Sequence, residues 1–312
     1  MTPTATAPSR DIARLRVGGA IVTCVCSGRN AAVVRLLSVD GIRRARFDST
    51  IRAAAATTAT VGPPLATPPI PIDFATLHVA VDDLSIVVDP LRLNEAERAF
   101  LEPAGFQPSA YLNDVPSALR AIGVPADTVT HVVATHGHAD HYSGFLAGEA
   151  GAAPAFSNAR YLISRRDLDG VAPRHREQLR AVCDTLAARG LLDAVDGELE
   201  LSASVKLLPT PGETPGHLTL RVESRGECFF WVGDLFHDAL EIGHPDWVST
   251  NLVALDIPEG ELDATLAALR ASRLEVLADA AAHDAVVCMA HAPFPGWGTI
   301  TRVRNGYGFR AI

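Results

Sequence analysis

Apolar residues fall in short runs over the first third of the chain, and a helical period joins them only later. Val17 to Cys26 and Ala31 to Val39 predict two strands, joined as a hairpin at Gly28-Arg29-Asn30. Leu77 to Val81 and Leu84 to Val88 predict a second hairpin around Asp82-Asp83. Residues 52 to 72, rich in Ala, Thr and Pro, predict a long irregular loop. Residues 1 to 12 are expected to be a flexible terminus, since Thr, Pro, Ala and Ser dominate there without periodicity. Asn94 to Leu101 and Pro116 to Ile122 predict helices, the second with proline in its first turn. His131 to Ala134, Tyr161 to Ile163, Val205 to Leu208, His217 to Val222, Cys228 to Val232 and Ala285 to Ala290 predict strands. Among them, Glu177 to Arg189 reads as an amphipathic helix stopped by Gly190, and Glu259 to Arg270 and Leu274 to Ala282 as two more helices. Strands followed by alternating strands and helices favour an α/β (α+β) fold, its sheets covered by helices. Residues 13 to 312 are expected to form a single domain with an N-terminal extension over about 13 to 75.

Composition narrows the function. The chain has 312 residues, 48% of them apolar, enough for a well-buried core. A formal net charge of −9 removes the electrostatic footprint of a nucleic-acid binder. No run reaches the roughly 18 apolar residues of a membrane span. Arg10, Arg14 and Arg16 precede the apolar run Val17 to Cys26, as in a secretory leader. No small-residue cleavage site follows, so the run is read as a strand. Cys24, Cys26, Cys183, Cys228 and Cys288 are too sparse and odd in number for a disulfide framework. Cys24 and Cys26 share one face of a strand and read as packing, and the expected compartment is the reducing cytoplasm.

Four strands run into residue types that ligate metals. His131-Val132-Val133-Ala134-Thr135 leads into His136, His138, Asp140 and His141. Val205 to Leu208 leads through Pro209 to Gly216 into His217, Phe229-Phe230-Trp231-Val232 into Gly233-Asp234, and Val286 to Ala290 into His291. Strand ends in layered α/β folds carry functional loops on a rigid scaffold, so side chains far apart in sequence converge there. Gly137 leaves the backbone free to bend between two histidines. Imidazole suits zinc and iron, and a carboxylate adds a harder donor. Packing accounts poorly for three histidines and an aspartate within six residues, because each buried polar group needs a partner. Taken singly, His217 reads as a loop histidine, Asp234 as a turn residue or helix cap, and His291 as a core histidine. Beside the cluster, metal ligation becomes the stronger reading for all three. His78, His131, His175 and His283 read as structural or solvated. His237 and His244 follow Asp234 in the same loop, and His237 is taken as a candidate catalytic group with Asp140.

The pattern H-x-H-x-D-H at 136–141, Pro215-Gly216-His217, Gly233-Asp234 and the final His291 resembles the metallo-β-lactamase superfamily. That resemblance implies a four-layer αββα sandwich with two divalent metal ions at one edge, between the sheets. It implies that His136, His138 and His217 hold one ion, that Asp140, His141 and His291 hold the other, and that Asp234 bridges them. A hydroxide bridging the metals would be the nucleophile, with Asp140 orienting it. Zinc is the expected cofactor, and manganese, iron or cobalt suit the same donors. Gly233 to His237, Pro245-Asp246-Trp247 and His291 to Gly296 are similar to the branch containing methyl parathion hydrolase and lactonase-like enzymes. Three positions depart from the family. His237 stands where the best-known N-acyl-homoserine lactonases carry tyrosine. Glu213 stands in a loop that often reads G-H-T-P-G-H. Pro90 follows Asp89 where D-T-G is usual.

The resemblance also excludes neighbours. Too little chain follows His291 for the helical region of a glyoxalase II. A flavodiiron oxidoreductase carries an acid where His138 stands. An RNA-cleaving nuclease fits poorly with the acidic balance, and a true β-lactamase rarely has aspartate where Asp234 stands. The expected activity is hydrolysis of a small ester or lactone, with a small-molecule substrate and no nucleic-acid or membrane partner. Phosphotriester hydrolysis uses the same two-metal geometry. A non-catalytic metal-binding protein would show broken ligands, and none is broken. Phe106, Tyr111, Phe236, Phe294 and Trp297 are candidate pocket walls, although each taken singly reads as a core residue. The N-terminal extension exceeds what the core fold needs and suits a homodimer.

Overall fold

Two sheets meet across the predicted apolar runs in a computed structural model that describes residues 5–47, 67–147, 153–171, 173–249, 257 and 259–312. The first sheet runs Ala5–Ser9, Ile12–Val17, Ala20–Val34, Ile70–Val81, Leu84–Val88, His131–Val133, Arg160–Ser164, Leu192–Val195, and Gln107–Pro108 pairs beside Ala20–Val34. It is antiparallel as far as Leu84–Val88 and parallel beyond. The second runs Leu199–Ser202, Val205–Pro209, Leu218–Ser224, Glu227–Trp231, Val286–Cys288, Trp297–Val303, Gly306–Ala311.

Alternation along each strand decides what lies between the sheets. Leu15, Val22, Leu77 and Val88 of the first meet Leu207, Leu220, Phe229 and Trp231 of the second in one buried cluster. Val87 and Val132 point the other way, onto Leu119, Leu179 and Cys183 of the helices Val115–Ala121 and Pro173–Ala187. On the far side, Phe230 and Val287 pack on Leu269, Val276 and Leu277 of the helix Leu262–Ala282. This is the expected αββα sandwich. All five cysteines are buried and free. No helix among the described residues is long and apolar enough to cross a membrane.

Several element boundaries differ from the sequence expectation. The expected hairpin at Gly28-Arg29-Asn30 is one bulged strand, because both flanks pair with the same neighbour: Ile21 opposes Ala80 and Val34 opposes Ile70. The polar triplet marks register shifts, with Asn30 at φ +63°. Ala5–Ser9 pairs with Ile12–Val17, so the expected flexible terminus carries an edge strand. Ile70–Val81 starts seven residues before the expected strand, inside the Pro-rich stretch. The helix expected to break near residue 271 runs unbroken over Leu262–Ala282. Ser272 and Arg273, which lie in the expected gap, are both buried and bond the loops above them. Most of the loop expected over 52 to 72 lies outside the described residues.

His78 stays on the sheet as a structural histidine. It is buried, with Nε2 3.0 Å from Ser85 Oγ. Burial, reinforced by Arg14, pushes its pKa down to about 4. The unfolded chain therefore binds a proton here first, and stability falls as pH drops from about 6.5 through 4, by up to about 3 kcal/mol. Urea unfolding at pH 7 and pH 4.5 should show a smaller acid loss for His78→Gln than for the unaltered chain. Equal losses would contradict this.

Candidate metal centre

The candidate ligands gather at one edge of the sandwich, past the C-terminal ends of strands except for His217, which directly precedes the strand Leu218–Ser224. The parallel pairs Leu84–Val88 with His131–Val133, and Glu227–Trp231 with Val286–Cys288, bring four strand ends there, three of which lead into candidate ligands. Leu218 N donates to Thr135 O at 2.7 Å and Asp73 N to His291 O at 3.1 Å, which ties the loops across the two sheets. Gly233 turns with φ +51°, and a Cβ on it would stand 2.8 Å from Thr135 Oγ1 and 3.0 Å from His217 Nε2. Only glycine lets the Asp234 loop come so close.

Outer hydrogen bonds decide which nitrogen each imidazole turns inward. His291 Nδ1 lies 2.9 Å from Asp73 O, which can only accept, so Nδ1 carries the proton and Nε2 faces in as a lone pair. Thr135 Oγ1 donates to Asp89 and accepts from His136 Nδ1 at 3.1 Å. His217 Nδ1 pairs with Thr210 Oγ1 at 2.9 Å, and His141 Nδ1 faces Asp89 Oδ2 at 3.1 Å. His138 turns Nδ1 inward, 2.8 Å from His136 Nε2.

The inward atoms gather on Asp234. Its Oδ1 lies 3.1 Å from His141 Nε2 and 3.2 Å from His291 Nε2. Its Oδ2 lies 3.3 Å from His237 Nε2 and 3.8 Å from His136 Nε2. Asp140 Oδ2 sits 3.3 Å from His291 Nε2 and 3.5 Å from His141 Nε2. Two donor groups made of expected ligands result, His136–His138–Asp234 and Asp140–His141–His291, and a third joins Glu213 and His237 to Asp234, each with ligand atoms within 4.8 Å of one another. The His217 ring stands 5.3 Å from that of His136, beside the first group.

Buried polar atoms here have no hydrogen-bond partner: Asp234 Oδ1, His141 Nε2, His217 Nε2, Glu213 Oε1 and both ring nitrogens of His237. His141 Nε2 is only 3.1 Å from Asp234 Oδ1, so direction is what fails. The atoms aim past each other at shared points. Left alone they would be costly, and cations bound by several of them would offset that cost. Imidazoles and carboxylates in this arrangement fit two divalent ions. Burial pushes the pKa of His217 down to about 4, so it is neutral, as a ligand must be. Burial also lowers that of His291, but Asp234 and Asp140 outweigh it and carry it up to about 9 while no cation is bound, so an ion that binds Nε2 releases a proton there.

Asp167 escaped sequence reasoning. It reads as an acid in the first turn of the short helix Arg165–Gly170, and nothing in its spacing links it to the histidines. Its Oδ2 accepts from Gly137 N at 2.7 Å and Thr214 Oγ1 at 2.8 Å, and its Oδ1 from Gly216 N at 2.7 Å. One carboxylate thus clamps both the 136–141 loop and the His217 loop. Burial pushes its pKa up to about 6 against these bonds, so the clamp costs stability at neutral pH. Asp167→Asn turns an amide N–H towards one of these donors. We expect metal affinity to fall about 10- to 100-fold, read by competition with a chromophoric chelator. Unchanged affinity would remove the clamp from the site.

His237 lies inside the centre, its ring stacked on that of His291 at 5.6 Å. Glu241 Oε2 accepts from His237 N, and Arg273 donates to Glu241 Oε1 at 2.6 Å, so a buried ion pair braces this turn. Asp234 and Glu241 overcome the lowering effect of burial and raise the His237 pKa above its usual value. Glu213 is also buried, and burial pushes its pKa up to about 7. Of the expected pocket walls, Phe106, Phe236 and Trp297 are core residues. Phe294 is half-buried beneath the Arg29 guanidinium, and Tyr111 is also half-buried.

The sequence profile of the metallo-beta-lactamase superfamily matches residues 76–291. The chain belongs to this superfamily. Among similar proteins, an N-acyl homoserine lactonase of Bacillus thuringiensis is 29% identical over 106 residues, 34% of this chain. The match spans only 38% of that relative's length. Two solved structures share the fold over nearly the whole chain. AidC, described as a dizinc quorum-quenching lactonase in complex with a product, has a TM-score of 0.66 at 19% identity, covering 97% of each chain. AbOPH, described as a hydrolase in the beta lactamase superfamily, has a TM-score of 0.67 at 18% identity, covering 98% of this chain and 99% of its own.

Proposed function

We propose that the chain is a metal-dependent hydrolase that opens a small ester or lactone, with zinc as the expected ion at both positions. The convergence of His136, His138, Asp140, His141, His217, Asp234 and His291 at one edge carries this reading, because it leaves His141 Nε2, His217 Nε2 and Asp234 Oδ1 buried there without a hydrogen-bond partner. When bound, two divalent ions lower the pKa of water towards neutrality and polarise a carbonyl oxygen. The chain supplies the rest. Asp234 presents one oxygen to each donor group and fixes their separation. Asp140, whose side chain is 28% exposed, is the open side of the site and orients the attacking water. His237, 1% exposed, acts by holding Asp234 in place. The lactonase relative and the lactonase AidC support a lactone over other acyl substrates. The chain, loaded with zinc, manganese or cobalt, should be assayed on lactones, aryl esters and an aryl phosphotriester, with chelator controls. Metal-dependent lactone turnover is expected. Faster phosphotriester turnover would move the substrate class, and no turnover on any would end the hydrolase reading.

A further inference from the structure

Glu213 has a position that the seven expected ligands do not account for. It lies in the loop leading to His217, and that loop is pinned on both sides of it. Ser272 Oγ donates to Pro211 O at 2.8 Å, and Thr214 Oγ1 donates to Asp167 Oδ2 at 2.8 Å. Its side chain is 1% exposed, and Oε1 has no hydrogen-bond partner. That oxygen is 4.0 Å from Nδ1 of His138, the nitrogen that His138 turns inward. Its ligand atom also lies within 4.8 Å of those of Asp234 and His237. Two donors each about 2.1 Å from one ion are at most about 4.2 Å apart, so Glu213 and His138 are spaced to share one. A buried carboxylate beside a second carboxylate needs a cation, and its only ion-pair neighbour among the described residues is an inward-facing imidazole.

We propose that Glu213 is a further ligand of the ion held by His136, His138 and His217. This rests on the two-metal reading above. An added carboxylate raises the coordination number and hardens the donor set, and so shifts that position from zinc towards oxygen-preferring ions such as Mn²⁺. Histidine-only environments lack this bias.

The test measures binding, not turnover. Metal-free chain and its Glu213→Gln variant are titrated with Zn²⁺ and Mn²⁺ by calorimetry, and the Co²⁺-loaded forms are compared by visible absorption. In Glu213→Gln, Mn²⁺ affinity at one of the two positions should fall about tenfold or more, while Zn²⁺ affinity stays within about threefold. The Co²⁺ band should gain intensity as the ion loses one ligand. Glu213→Asp keeps the charge but shortens the reach, and should behave like Glu213→Gln. It decides the matter alone if the glutamine variant loses its circular dichroism. Two ions bound with identical Mn²⁺/Zn²⁺ preference and Co²⁺ band in chain and variant would overturn the role of Glu213 only. An unaltered chain that binds no metal would overturn the two-metal reading as well.

Discussion

Asp234→Asn is expected to lower hydrolysis about 10³-fold and to reduce bound metal from two ions to one or none. Asp234 presents a carboxylate oxygen to each donor group: Oδ1 faces His141 and His291, and Oδ2 faces His136 and His237. An amide keeps the shape but offers one neutral oxygen and one N–H, so one of the two groups meets a donor where it needs an acceptor. The loss should fall on kcat more than on KM, since Asp234 is 2% exposed and lies beneath any substrate. Elemental analysis and steady-state kinetics on the same sample read both effects. A variant that retains two ions and near-normal kcat would show that the groups are independent.

Asp89→Asn is expected to cost about 3 kcal/mol of stability and to weaken metal binding about 10- to 100-fold. Asp89 does not face the centre. Its Oδ1 accepts from Thr135 N at 2.7 Å and its Oδ2 from Trp231 Nε1 at 2.7 Å, so one carboxylate joins a loop of the first sheet to a strand of the second. It also faces His141 Nδ1 at 3.1 Å and, through Thr135 Oγ1, orients His136. Asparagine tolerates the φ of +53° at this position, so backbone strain is not the cause of the loss. An N–H takes the place of one acceptor oxygen, and a buried donor loses its partner. Chemical unfolding of the metal-free chain measures the first effect, and chelator competition measures the second. Loss of metal affinity at unchanged stability would confine Asp89 to orienting His141.

The donors were legible in the sequence because they crowd: three histidines and Asp140 in six residues, then His217, Asp234 and His291 each just past an apolar strand. The sheet core was legible for the same reason, since alternation is local. What holds the donors was not. Asp167 meets Gly137 and Gly216 across 30 and 49 residues, and such pairings leave no trace in spacing. The helix Leu262–Ala282 runs through the gap expected between Arg270 and Leu274, where Ser272 and Arg273 are buried polar residues bonded to loops distant in sequence. Gly28-Arg29-Asn30 looked like a turn because bulges and hairpins use the same residues. The aromatic candidates for pocket walls each read, taken singly, as core residues, and Phe236 and Trp297 do fill the core.

The most direct test follows lactone hydrolysis while Zn²⁺ is added to chelator-stripped chain. Activity should be absent at the start and should saturate at two ions per chain. Full activity without metal, or saturation at one ion, would contradict a two-metal centre built on Asp234.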